Sequence, residues 1–181
     1  MLRRMAGLLV LCLTLQLPGP PSARAEGLTA WQGFWKGPCR LDPPYRGIRD
    51  FRGSLRVRGL GPGGRRYSWV LVYDYGAARP KETRTYEIVA KDASRGHWVI
   101  DEKNGLKLDT FLLGNRLYSP FTINRLLITA TYERTGTAIR IELPTYSAKP
   151  IRRTCLTGNA NLCASSHALY RMQTCVFRKA N

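Results

Sequence analysis

Large apolar residues recur at every second position through most of this chain, in short runs that each end at a turn signal. Strict alternation sends one set of side chains to one face of a sheet and the next set to the other, so these runs predict antiparallel strands with one dry face. Phe51, Gly53, Leu55 and Val57 alternate with Arg52, Ser54, Arg56 and Arg58. After the Gly/Pro loop of residues 59–64, Tyr67, Trp69, Leu71, Tyr73 and Tyr75 share one face of the next strand. Tyr86, Ile88 and Ala90 line another, and Ser94-Arg95-Gly96 connects it to a strand from His97 to Asp101. Asn104-Gly105 is the strongest hairpin signal in the chain. Strands over 106–113, 117–123 and 126–133 follow, broken at Gly114-Asn115 and Asn124-Arg125, and Ile139, Ile141 and Leu143 end the meander before Pro144 and Pro150.

Trp31, Gly33, Trp35 and Gly37 alternate ahead of this run and predict a short turn and a first strand. Their glycines would let a neighbouring backbone or a bulky ring approach closely. The segment 159–166 reads as loop, and Tyr170, Met172, Thr174 and Val176 predict a last strand that returns to the first. About ten short antiparallel strands with sequential neighbours predict an all-β, up-and-down barrel with room for one small ligand. A two-sheet sandwich is the alternative architecture.

Residues 1–25 read as a signal peptide: Arg3 and Arg4, then an apolar run from Met5 to Leu17, then Ala23-Arg24-Ala25 as the small-x-small cleavage site. The apolar run is shorter than the roughly 20 residues a membrane-spanning helix needs. Cleavage takes 25 residues from 181 and leaves a single domain over 26–181. Cys12 leaves with the leader, and Cys39, Cys155, Cys163 and Cys175 remain, an even number in an exported chain, which predicts two disulfides. Three pairings are open, and a zinc site competes with them although no Cys-x-x-Cys pair occurs.

Charge changes the picture of partners. Removing Arg3, Arg4 and Arg24 from 29 Lys and Arg against 12 Asp and Glu leaves about +14. For an exported protein that charge points to anionic lipid or polysaccharide rather than nucleic acid, with Arg52, Arg56, Arg58, Arg65 and Arg66 as the candidate anion-binding face; a basic surface that serves solubility is the plainer reading. No Asn-x-Ser/Thr sequon occurs, and with the Arg-rich composition this points to a bacterial periplasmic or secreted protein.

Gly33-Phe34-Trp35 resembles the Gly-x-Trp that opens the first strand of lipocalins, and Gly33-x-Trp35-x-Gly37 is similar to the opening of nitrobindin-type haem barrels. The lipocalin resemblance implies a calycin barrel with a late arginine, Arg171 or Arg178, packed over the first-strand Trp35. The nitrobindin resemblance implies haem held through a late histidine, here His167, although Cys39 replaces a glycine of that pattern.

Catalytic patterns are thin. His97 and Asp101 share a strand face but stand roughly 13 Å apart at about 3.3 Å per residue, too far for a base and its orienter. Neither a Gly-x-Ser-x-Gly elbow nor His-Glu-x-x-His occurs, so no enzyme is expected. Asp101 and Glu102 beside the hairpin read as solvated carboxylates rather than a cation site. The aromatic set Trp69, Tyr73, Tyr86, Trp98, Phe111 and Phe121 would face a common interior and suits an apolar or amphipathic ligand, with a fully packed core as the alternative. The resulting expectation is a small-molecule-binding barrel; its rival is a cationic protein that works through its basic face.

Overall fold

The computed structural model describes residues 27–180. The expected signal peptide and Cys12 lie outside the described residues. Ten antiparallel strands close into a barrel: β1 (Gly33–Tyr45), β2 (Ile48–Gly59), β3 (Arg66–Asp74), β4 (Glu82–Asp92), β5 (His97–Asp101), β6 (Lys107–Leu113), β7 (Arg116–Ile123), β8 (Leu126–Thr135), β9 (Ala138–Ser147) and, after an inserted hairpin, β12 (Leu169–Ala180). The hairpin is β10 (Arg152–Leu156) with β11 (Asn159–Ser166), which pair only with each other. Sequence reading takes 159–166 as loop because it lacks apolar alternation. It forms a strand because the Cys155–Cys163 disulfide sits on a directly paired position of β10 and β11.

Closure joins β1 to β12, and the Cys39–Cys175 disulfide links a directly paired position of that seam. Cys175 and Phe177 are the buried positions of β12, so this strand turns the opposite set of residues inward from Met172, Thr174 and Val176. Two glycines make the seam possible. Gly37 and Gly53 are cross-strand partners; a Cβ at Gly37 would lie 2.0 Å from the Val176 carbonyl oxygen, and one at Gly53 2.7 Å from the Phe177 ring.

The strands run up and down, so their connections fall at two ends. One end is plugged. A short 3-10 turn, Leu28–Trp31, lies across it with Leu28 and Trp31 fully buried. Three hydrogen bonds hold the plug: the Trp35 indole donates to the Trp31 carbonyl at 2.9 Å, the hydroxyls of Thr29 and Tyr67 meet at 2.8 Å, and the Gly59 N–H donates to Gln32 Oε1 at 2.7 Å. Trp35, Tyr67, Trp98, Leu55, Val57 and Phe177 fill the space behind it. Trp69 joins the layers, with Trp31 on one side (ring centroids 5.8 Å) and Tyr132 edge-on at 5.4 Å on the other.

The other end carries the β1–β2, β3–β4, β5–β6 and β7–β8 connections and the β10–β11 hairpin. Asn124, at φ 54°, makes the two-residue β7–β8 turn with Arg125, as the sequence predicts. Asn104-Gly105 does not make a two-residue turn. Residues 102–106 form a longer loop because the Asp101 and Asn104 carboxylate and amide oxygens each accept a backbone N–H two residues on, from Lys103 and Leu106.

The late arginines do not cover Trp35. Lys179 Nζ lies 5.8 Å from that ring, Arg178 is exposed on the outer wall directly opposite Lys36, and Arg171 stacks on Tyr45.

Candidate functional site

At the open end the inner faces of the strands leave a cavity of about 320 Å³. Register explains its walls. Leu71 stands opposite Arg84 and Tyr73 opposite Glu82, so β4 continues its inward set Tyr86, Ile88, Ala90 towards the rim with two charged residues. Apolar wall comes from Leu71, Ile100, Leu108, Phe121 and Ile128, and the small side chains Ser119 and Ala130 leave the space that larger ones would fill. The polar groups are the phenols of Tyr73, Tyr86 and Tyr132, the Gln173 amide, and Arg84 and Glu102 at the mouth. Burial is the main cause that pushes the pKa of each of the three phenols above the usual tyrosine value, so they stay neutral hydrogen-bonding groups.

The rim is an ion-pair network around one carboxylate. Glu82 accepts from Arg84 Nε at 2.7 Å, from Arg79 at 2.7 Å and from the Tyr75 hydroxyl at 3.2 Å. Burial opposes the charge on Arg84, whose side chain is 49% exposed, but Tyr86 and Glu82 outweigh it and its pKa is raised. A smaller cavity of about 200 Å³ adjoins the first and shares Ile128, Leu143 and Gln173 with it. Its outer walls are Tyr45, Tyr75, Arg79 and Arg171. The Arg171 guanidinium lies 4.1 Å from the Tyr45 ring centre, and the Arg79 guanidinium 4.0 Å from that of Tyr75.

Of the six aromatic residues proposed from the sequence, Tyr73, Tyr86 and Phe121 line the larger cavity. Trp69 and Trp98 face inward but belong to the packed half, where both are buried. Phe111 faces outward and is 38% exposed, because Leu108, Thr110 and Leu112 take the inward positions of β6; it stacks on His97 with ring centres 5.0 Å apart. Sequence reading omits Arg84, Tyr132 and Gln173. The signal for the first two is in the chain, since Arg84 stands two before Tyr86 and Tyr132 two after Ala130 on their inward faces.

The five arginines proposed as an anion site lie on the outer wall, on β2, on β3 and in the turn between them. Arg52, Arg56 and Arg58 lie exposed on the outer face of β2, and Arg65 is exposed in the turn that follows. Arg66 pairs with Glu87, a carboxylate only 6% exposed that also binds Lys103 and so ties β4 to the β5–β6 loop. Lys103 first, then Arg66, holds the Glu87 pKa below the usual carboxylate value.

His167 Nδ1 lies 2.8 Å from the Ser147 carbonyl oxygen at the foot of the hairpin and lines neither cavity, so the residues present do not fit a haem held there by this histidine. His97 Nε2 meets Asp109 at 2.6 Å across the strands, on the outer wall. Among the described residues no three metal-ligating side chains gather, and no helix is long and apolar enough to cross a membrane.

No protein-family model matches the chain, and no curated protein does. One similar solved structure is a protein of unknown function from the DUF3598 family of Nostoc punctiforme PCC 73102, with a TM-score of 0.53 and 13% sequence identity. The alignment covers 91% of this chain and 53% of that one, so this chain spans about half of its neighbour's length. At that identity the likeness concerns the fold.

Proposed function

We propose that this chain is an exported, calycin-like barrel that binds one hydrophobic or amphipathic small molecule at its open end. The observation that carries the reading is the pairing of a plugged, tryptophan-filled end with an opposite end that holds a cavity of about 320 Å³. Aromatic and aliphatic walls with a few neutral phenols suit a ligand with an apolar body. The two disulfides agree with folding in an oxidising compartment. A fluorescent naphthalene probe should bind with one-to-one stoichiometry, and Tyr86→Asp should abolish binding while the barrel still melts cooperatively. Unchanged binding by that variant would place the probe elsewhere and sink the reading.

A second reading has its own observation. Lys36 and Arg178 face each other directly on the outer wall, like charges that oppose pairing, and a surface groove beside them takes in Lys36, Arg52 and a Lys81 that pairs with Asp74. That surface suits anionic lipid or polysaccharide. Changing Arg52, Arg56 and Arg58 together to Ser should then weaken salt-sensitive binding to anionic vesicles without lowering the melting temperature.

A further inference from the structure

We propose that the ligand is an anionic amphiphile, with its head group held in the smaller cavity by Arg171 and Arg79 and its apolar tail in the larger one. This rests on the binding reading above and adds the chemistry of recognition. Arg171 Nε is one of two buried side-chain donors that lack a hydrogen-bond partner among the described residues, and Arg171 makes no ion pair there. That Nε is closed to solvent, but the Arg171 side chain lines the smaller cavity with no carboxylate beside it, so an anionic ligand oxygen there meets an uncompensated guanidinium. The remaining walls agree. No carboxylate lines the smaller cavity, and the nearby Glu82 is already shared by Arg79, Arg84 and Tyr75. Tyr45 and Tyr75 support the two guanidinium planes from behind, which presents their N–H edges to an incoming group.

Head and tail meet at the shared wall. Ile128, Leu143 and Gln173 border both cavities, so a molecule lying across them keeps its tail against Leu71, Ile100 and Phe121 while its head reaches the arginines. Gln173 adds a neutral hydrogen-bonding group at the junction. A cationic head would meet two like charges, and an uncharged one could accept a hydrogen bond but would leave the Arg171 charge uncompensated.

The test compares three ligands with one tail: decanoate, decanol and decylammonium, titrated calorimetrically into the disulfide-intact protein at neutral pH. Decanoate should bind at least about tenfold tighter than decanol, and decylammonium weakest. Arg171→Gln should remove that advantage and leave decanol unchanged, while Arg79→Gln should remove less, since Arg79 keeps company with Glu82. Should Arg171→Gln fail to fold, the wild-type ranking and Arg79→Gln still decide. Equal affinities for decanoate and decanol, or a preference that survives Arg171→Gln, overturn the head-group assignment and leave the cavity reading standing. If none of the three binds the folded protein, the cavity reading fails and this inference with it.

Discussion

The plugged and open ends of this barrel are made from the same alternating strands, yet they are filled by different means. All four tryptophans, Trp31, Trp35, Trp69 and Trp98, are buried in the plugged half and the layer beneath it, with Phe177 and Tyr67 between them. The open half uses tyrosine, isoleucine and leucine, with Ser119 and Ala130 at inward positions. Large rings facing small residues across a closed barrel fill it; medium side chains facing small ones leave it open. One end is held by packing, and the rim of the other is held by charge, through Glu82. Rigidity at one end and vacancy at the other are what a binding barrel needs.

The largest effect expected from this contrast is at the seam. Chain-entropy arguments give about 5 kcal/mol for a loop as long as the one closed by Cys39–Cys175, and at most about 2.5 kcal/mol for the short Cys155–Cys163 loop outside the barrel. Replacing each pair by serine and unfolding in urea should reproduce that order; equal losses would mean that the seam does not control closure. Next comes packing. Trp31→Ala should cost about 3 to 5 kcal/mol, whereas Phe121→Ala at the cavity wall should cost about 1 kcal/mol, because its surroundings are already partly empty.

The outer wall beside the β5–β6 loop should respond to acid. Glu87 has its folded pKa depressed by Lys103 and Arg66, so its contribution is present above the ordinary carboxylate pKa and is lost as pH falls through the depressed value. Glu87→Gln should therefore cost about 1 kcal/mol at neutral pH and nothing in strong acid. Amide exchange should speed up first in the β5–β6 loop, with the plug unaffected. The smallest effect is alkaline. Tyr73 and Tyr132 have raised folded pKa values, so stability falls as pH rises above about 10. Tyr132→Phe should flatten that limb, read as melting temperature against pH.

Much of this architecture was legible in the chain because alternation at a period of two reports the inward face directly. Tyr73, Tyr86 and Phe121 could be placed in this way. Phe111 was legible too: it shares its face with Lys107 and Asp109, which marks that face as outward, and a large ring alone is no sign of an inward position. Trp69 and Trp98 are inward as the pattern implies, but alternation carries no information about depth, and both fall on the packed side. Arg171 was legible as a late arginine and not as a neighbour of Tyr45, since that contact depends on where β12 enters the barrel. The pairing of four cysteines was open until closure set Cys39 opposite Cys175.

The most direct test of a packed end opposed to a binding end is a methyl NMR titration of the isoleucine, leucine and valine side chains with decanoate. Shifts are expected at Leu71, Ile100, Leu108, Ile128 and Leu143, with Leu28, Leu55, Val57 and Ile139 unmoved. Shifts at the second group, or at outward residues alone, would contradict that opposition.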